Sequence, residues 1–329
     1  MKAISIGRFG DPSVCRIEDV SAPQPAPGEA TVKIAYAGVN FIDVYMRNGT
    51  YARSHTYKTP LPMIIGMEAA GVVEAFGEEV IGLERGQRVS FCLSRGTYAD
   101  VVSVPAWKLV PVPVNVPFNI AAALMLQGCT AHYLSHSAFP LQPGQSCLVH
   151  AGAGGVGQLL IQLAKNAGAT VFATVSTKEK AEIATKQGAD HCILYRDRDF
   201  QEEIMRLTSG EGVHVVYDSV GRDTIMKSIR SVRRRGLCVL FGASSGVVDA
   251  VEPLALAEAG SVFFTRPHLA DYMANSAEIR ERTDDLFRLY LERRLDVTID
   301  KEFALADAAD AHRYLEAGKT RGKLLLRVS

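Results

Sequence analysis

Residues 146–169 read SCLVHAGAGGVGQLLIQLAKNAGA. The opening SCLVHA (146–151) is a short apolar run suited to a buried strand. GVGQLLIQLAKNAGA (155–169) has the spacing of a helix closed by Gly168. Between them Gly152, Gly154 and Gly157 match G-x-G-x-x-G. The first glycine allows a tight turn, the second lets a pyrophosphate approach the backbone, and the third lets helix and strand pack closely. The helix N-terminus then offers N–H groups and the positive end of its dipole to phosphates. By itself the motif also fits a glycine-rich structural turn. Placed between a strand and a helix it predicts dinucleotide binding by Gly152, Ala153, Gly154, Gly155, Val156 and Gly157.

Working outward, the alternation continues. TVFATV (170–175), HCILY (191–195), VHVVYDSV (213–220), LCVLFGA (237–243) and SVFFTR (261–266) read as further strands, with helices over 178–188, 199–209, 223–232 and 253–260 between them. Such alternation requires a parallel sheet, because parallel neighbours need a long return path. Six strands fit the doubly wound dinucleotide fold. Upstream, the first 120 residues read as strands and turns, as in ATVKIAYAGVN (30–40), AAGVVEAFG (69–77) and RVSFCL (88–93), broken by Pro and Gly. NIAAALMLQGCTAHYLSHSA (119–138) reads as a helix. The tail holds a polar helix (276–294), a helix in ADAADAHRYLEAG and a strand in KLLLRV. It is too small for a core of its own. The expectation is an α/β chain in which 1–121 and 267–329 form a mostly β domain and 122–266 an inserted nucleotide-binding domain.

Composition excludes several classes. The 329 residues carry 36 Lys+Arg and 36 Asp+Glu, so no surplus of basic charge favours nucleic acid or anionic membranes. The closest two of the six cysteines are 18 residues apart, which argues against a disulfide scaffold or a zinc knuckle and fits a reducing cytoplasm. MKAISIGRFGDP has no apolar core of signal-peptide length, and no apolar run reaches the roughly 18 residues of a membrane span.

The tip of the second nucleotide-domain strand names the cofactor. An NAD site places an acid there for the ribose 2′-OH. Here the chain reads Thr174-Val175-Ser176-Thr177-Lys178-Glu179-Lys180, with hydroxyls and two lysines and no acid at the tip. A 2′-phosphate suits those groups, so NADPH is expected.

The combination Val39-Asn40-Phe41-Ile42-Asp43-Val44-Tyr45, Gly66-Met67-Glu68-Ala69-Ala70-Gly71, the glycine loop, Tyr217-Asp218-Ser219-Val220-Gly221 and Phe241-Gly242-Ala243-Ser244-Ser245-Gly246 resembles the NADPH:quinone oxidoreductases. These are zinc-free, zeta-crystallin-like members of the medium-chain dehydrogenase/reductases. The resemblance spans essentially the whole chain. It implies a GroES-like, mostly β catalytic domain, a six-stranded parallel Rossmann domain, and homodimers joined edge to edge through the Rossmann sheets. Zinc-dependent relatives carry Cys at the position of Asn40, His at that of Met67 and a four-cysteine lobe where only Cys92 stands. An amide and a thioether beside Glu68 are poor zinc ligands, so no metal is expected. His132 and His136 share a helix face without an evident third ligand.

Without a metal, side-chain donors must polarise the acceptor oxygen. The resemblance points to Asn40 and Tyr45, which can donate an amide N–H and a phenol proton. A packed aromatic role for Tyr45 fits equally. Asp43 would hold a ribose hydroxyl or orient Tyr45. The resemblance further implies Thr130 on the nicotinamide side; Ser176, Lys180 and Tyr195 on the adenosine phosphate; Ser219, Phe241, Gly242, Ser244 and Ser245 along ribose and pyrophosphate; and Phe264, Thr265 and Arg266 at the carboxamide. Near the C-terminus the family often reads E-S-R-x-T-x-G-K. This chain has Glu316-Ala317-Gly318-Lys319-Thr320-Arg321-Gly322-Lys323, with Gly318 in the arginine position. The implied partner is a quinone or similar electrophile. An NADPH-dependent enoyl or alkenal reductase is the alternative. A non-catalytic NADPH- and RNA-binding crystallin-like protein is a third reading, to which Arg230, Arg233, Arg234 and Arg235 speak weakly, because arginines at a turn are ordinarily solvated.

Overall fold

The computed structural model describes residues 1–328. The chain forms two units. One comprises Met1–Cys129, Tyr272–Glu292 and residues from 297 onward; the other comprises Thr130–Asp271 and Arg293–Asp296. The middle unit therefore starts eight residues later and ends five later than the sequence suggests, and the tail segment Arg293–Asp296 belongs to it rather than to the outer unit.

The middle unit is built on a parallel sheet. Its strand order is His191–Leu194, Thr170–Val175, Ser146–Val149, Val213–Asp218, Val232–Leu240, Phe263–Thr265. In order of appearance this is 3-2-1-4-5-6, the doubly wound dinucleotide topology. Helices cover both faces, so the strands are apolar throughout; Cys147, Leu148, Val149, Val215, Val216 and Tyr217 are all buried. The strand order reverses between Ser146–Val149 and Val213–Asp218. A ligand crevice opens at the carboxyl ends at such a point, and the glycine loop lies there.

The outer unit holds a seven-stranded sheet, in order Ile299–Ala304, Lys323–Arg327, Glu29–Val39, Glu68–Phe76, Arg88–Cys92, Val110–Pro111, with Val101–Pro105 also paired to Glu29–Val39. A three-stranded sheet of Arg16–Asp19, Lys2–Ile6 and Met63–Ile64 lies beside it in the chain. The C-terminal strand Lys323–Arg327 runs antiparallel to Glu29–Val39 with Leu324 opposite Val39. That register brings Lys323 to Asn40.

Two local features depart from the sequence reading. Phe41–Arg47 is a helix, not part of a run of strands and turns. The segment expected as one helix over 119–138 alternates α-helix (Phe118–Ala123, Cys129–Tyr133) with π-helix (Leu124–Gly128, Leu134–Ala138). Wide π turns disturb the regular backbone ladder and recur at functional sites. Here the Leu126 N–H donates to Glu68 Oε1.

Candidate active site

In the middle unit most of the expected cofactor residues lie at or just past the carboxyl ends of the sheet strands, whereas Thr130 stands in the Cys129–Tyr133 helix ahead of the first strand. A Cβ on Gly152 would lie 2.8 Å from the Ala173 Cβ, and one on Gly157 would run into the Ala151 carbonyl. Ala151 itself holds a left-handed conformation, φ 53°. The loop is pinned by Gly152 N–H to Thr174 O at 3.1 Å and Gly154 N–H to Ala151 O at 2.9 Å. Gly154 begins the 12-residue helix Gly155–Asn166 with no side-chain cap. Its first N–H groups are thus left for an anion. This glycine-lined cradle with an uncapped helix start fits a pyrophosphate.

Ser176 and Lys180 are half-buried at the tip of Thr170–Val175, whereas Lys178 and Glu179 point into solvent. Thr177 caps the following helix, accepting from Lys180 N–H at 3.3 Å. Tyr195 is about half exposed at the end of the third strand. The loops after the fourth and fifth strands are stitched together. Ser244 N–H donates to Ser219 O at 3.2 Å, and Ser245 N–H and Oγ both donate to Val220 O at 2.9 Å. A Cβ on Gly242 would strike Ser219. Asp218, quoted in the sequence only as part of a motif, organises this turn. It accepts from Val220 N–H, Gly221 N–H, Thr224 Oγ1 and Ser228 Oγ at 2.6–3.0 Å. Ser228 also meets Nε2 of His150, which burial pulls below the usual imidazole pKa. Phe264, Thr265 and Arg266 follow on the sixth strand and its end, half-buried, and Thr130 is buried.

In the outer unit the structure gathers groups around Asn40 that no local spacing announces. Asn40 ends the Glu29–Val39 strand and starts the Phe41–Arg47 helix. Its Oδ1 accepts from Lys323 Nζ at 2.8 Å and Gln127 Nε2 at 3.2 Å, and its Nδ2 donates to Glu68 Oε2 at 2.8 Å. Lys323 also forms an ion pair with Glu68, and both are buried. Lysine donates only and an ionised carboxylate accepts only, so the amide has one allowed orientation. One N–H of Nδ2 is left for a ligand among the described residues. Gly38 is required here, since a Cβ would overlap Glu68 Oε2 and sit 2.9 Å from Lys323 Nζ.

Tyr45, one turn along the helix and nearly buried, packs in an aromatic row. The row begins at Phe41, so Tyr45 lies within it: its ring is 5.9 Å from Phe41 and 5.3 Å from Tyr51, which stacks on Tyr57 at 5.3 Å, where the row ends. Asp43 is fully buried. Its Oδ2 accepts from Asn40 N–H at 2.8 Å and Tyr98 OH at 3.1 Å. It reaches back to cap the helix start, and in this conformation has no surface to offer a ribose. Burial raises its pKa to about 7, against the lowering effects of the Asn40 amide and Lys323. Gly318, in the position where the family has arginine, adopts φ 64° and ends the Ala308–Glu316 helix.

The residues missed from sequence are Gln127, Tyr98, His312, Arg47 and Glu316, together with the roles of Glu68 and Lys323. The last pair lies 255 residues apart. The one available signal was that Glu68 and Lys323 are charged residues opening runs of apolar or small residues, EAAGVV and KLLL.

Two family descriptions match in order: "Alcohol dehydrogenase GroES-like domain" over residues 26–114 and "Zinc-binding dehydrogenase" over 155–289. The second name implies zinc, but the residues here do not fit it. Glu68 is paired with an ammonium, Asn40 Oδ1 faces two donors, Met67 is a thioether, and burial pushes the Cys92 thiol well above its usual range. The chain is 40% identical over 328 residues to a 2-haloacrylate reductase of Burkholderia sp., covering 98% of each. It is 39% identical over 326 residues to quinone oxidoreductase 1 of Escherichia coli K12, again covering 98% of each. A crystal structure of the Escherichia coli quinone oxidoreductase complexed with NADPH superimposes with a TM-score of 0.96 at 37% identity over the full length of both chains. With the doubly wound unit, the β-rich outer unit and full-length identity all agreeing, the chain belongs to the quinone oxidoreductase family of the medium-chain dehydrogenase/reductases.

Proposed function

We propose that this protein reduces quinones with NADPH and without a metal. The carrying observation is the locked Asn40 amide. A buried ion pair fixes which end of it donates, and one N–H stays free to polarise an acceptor oxygen where a metal-dependent relative would use a Lewis acid. The nicotinamide supplies the hydride, and the chain supplies orientation and electrostatics. In the overall reaction a quinone takes up the hydride and one solvent proton, giving a hydroquinone and NADP⁺. Asn40 steadies the negative charge growing on the acceptor oxygen. Tyr45 offers a second donor, and Phe41, Tyr45, Tyr51 and Tyr57 present aromatic surface suited to a flat ring.

The cofactor reading rests on the glycine cradle, the uncapped helix start and the acid-free strand tip. Gly152, Ala153, Gly154, Gly155, Val156 and Gly157 take the pyrophosphate. Ser176, Lys180 and Tyr195 take the 2′-phosphate side. Ser219, Phe241, Gly242, Ser244 and Ser245 line the ribose and pyrophosphate, with Thr130, Phe264, Thr265 and Arg266 towards the nicotinamide. Asp43 serves this site by holding the start of the Phe41–Arg47 helix.

A second reading is supported by the haloacrylate-reducing relative: hydride delivery to an activated carbon–carbon double bond. Steady-state NADPH oxidation with a panel of quinones beside acrolein- and haloacrylate-type acceptors separates the two. Turnover of the olefins alone would overturn the quinone reading. Tyr45→Phe, read in the same assay with chemistry rate-limiting, should lower kcat by less than the roughly 100-fold typical of an oxyanion donor, since quinones are easily reduced. An unchanged kcat makes Tyr45 a packing residue.

We also propose a homodimer joined through the Phe263–Thr265 edge. That strand pairs on one side only among the described residues, and Phe263 and Leu254 are 65% and 60% exposed nearby in the chain. Light scattering should give twice the chain mass, and Phe263→Glu should give a monomer. No helix of the described residues is long and apolar enough to cross a membrane; we place the protein in the cytoplasm.

A further inference from the structure

A line of polar groups in the outer unit, with no part in the reaction as proposed until it reaches Asp43, runs inward from Glu316. Glu316 grips Arg47 with both oxygens, at 2.9 and 2.8 Å. Arg47 Nε donates to Gly10 O at 3.1 Å, and its NH1 lies 3.1 Å from His312 Nδ1. His312 Nε2 lies 3.2 Å from the Tyr98 hydroxyl, which lies 3.1 Å from Asp43 Oδ2, the oxygen that accepts from Asn40 N–H. Arg47, Tyr98, His312 and Asp43 are all essentially inaccessible to solvent.

The proton arrangement along this line follows from donor chemistry. A guanidinium only donates, so His312 Nδ1 must accept. A neutral imidazole then carries its proton on Nε2 and donates to the Tyr98 oxygen. The single Tyr98 proton is left for Asp43 Oδ2. From Arg47 through His312 and Tyr98 to Asp43 the donors point the same way, and those bonds polarise one another towards the carboxylate. Burial and Arg47 together pull His312 down to about 3, which keeps it neutral. Arg47 does not give up its proton, so the line cannot conduct protons from the surface. It is a brace.

We propose that Tyr98, His312 and Arg47 are positioning residues for the acceptor site: they hold the Asp43 carboxylate against the Asn40 backbone N–H and so fix the backbone that carries Asn40 and the helix bearing Tyr45. This rests on the reading of Asn40 as the acceptor donor. The setting makes Asp43 sensitive to the brace. It is faced by Tyr98, Lys323 and Glu68, Tyr98 is in turn near Cys15, and the other Asp43 oxygen is buried with no partner. Removing the Tyr98 donor raises an already raised acid further, and a protonated Asp43 is a weaker acceptor for the Asn40 N–H.

The test uses the full-length protein with NADPH and a soluble benzoquinone, measuring kcat and KM from pH 5.5 to 9. Tyr98→Phe conserves shape. It should lower kcat at pH 7 roughly tenfold, as loss of a hydrogen bond to a charged group does. It should also move the acid limb of kcat upward by about one pH unit and leave the KM for NADPH within about twofold. Asp43→Asn should abolish that limb, and Tyr98→Phe added to it should cost nothing more. His312→Gln, which can still donate to Tyr98, should retain more activity than His312→Leu. A limb that stays in place in Tyr98→Phe, or additive losses in the double variant, would overturn the brace. Asn40→Ala run alongside separates two failures. If it leaves kcat untouched, the acceptor reading has failed and the brace falls with it. If it abolishes turnover while Tyr98→Phe does nothing, the brace alone is refuted.

Discussion

Lys323→Met removes one buried charge while nearly conserving volume. Lys323 and Glu68 are 1% and 0% exposed, and the ammonium touches both Glu68 Oε2 and Asn40 Oδ1. After the change Glu68 keeps the Leu126 N–H and the Asn40 amide as donors but has no countercharge. Breaking one side of a buried pair in this way costs about 3–5 kcal/mol. For a unit of this size that is a fall in Tm on the order of 10 °C. Replacing both partners is different, because a neutral pair carries no uncompensated charge. Lys323→Met with Glu68→Gln should recover at least half of the lost stability. Activity should not return with it. The ammonium and the carboxylate are what set the Asn40 amide, and without both the carbonyl and the NH₂ ends become nearly interchangeable. Calorimetry on the single and double variants, with NADPH oxidation on the same samples, reads both quantities. A single variant as stable as the parent, or a stable double variant with parental kcat, would refute the reasoning.

Lys180→Ala should weaken NADPH binding about tenfold or more in fluorescence titrations and barely change NADH binding, since only the 2′-phosphate supplies a charge for it; equal affinity of the parent for both cofactors would overturn the cofactor assignment. Exhaustive chelation should leave turnover unchanged, with no stoichiometric zinc by metal analysis; zinc-restored activity would contradict the fit argued from Asn40, Met67 and Lys323. Asp43 and His312 should tilt stability in opposite directions with pH. Asp43 titrates at about 7 folded against about 3.9 unfolded, so its contribution is full below pH 4 and is lost as pH rises through 7. His312 titrates at about 3 folded against about 6.5 unfolded, so its contribution is full above pH 6.5 and is lost as pH falls towards 3. Denaturant melts should therefore show Asp43→Asn losing stability relative to the parent as pH drops from 6.5 to 4, and His312→Gln gaining it over the same window; parallel curves would contradict both assignments.

The nucleotide-binding unit was legible because its signals are local. A strand, three glycines and a helix lie within 24 residues, and each later strand follows the one before it through a single helix. The same holds for the tip of the second strand, where Ser176 and Lys180 are read a few residues from Val175. The helix Phe41–Arg47 was not legible. Seven residues are too few to hold a helix by propensity, and Phe41, Ile42, Val44 and Tyr45 also suit a strand. What holds it is Asp43, fixed in turn by Tyr98 and, beyond it, His312. Gly318 shows the same division. Compared letter by letter it is a missing arginine, whereas in the fold it is the left-handed residue that ends a helix. The family resemblance, carried by residues around Asn40 and Tyr45, put these two forward as donors. Which end of Asn40 donates was decided by the register of Lys323–Arg327 on Glu29–Val39, which carries an ammonium across 283 residues of sequence to the amide oxygen. Sequence patterns record the neighbours a residue has along the chain, and the orientation of a buried amide depends on charges that only sheet pairing brings to it.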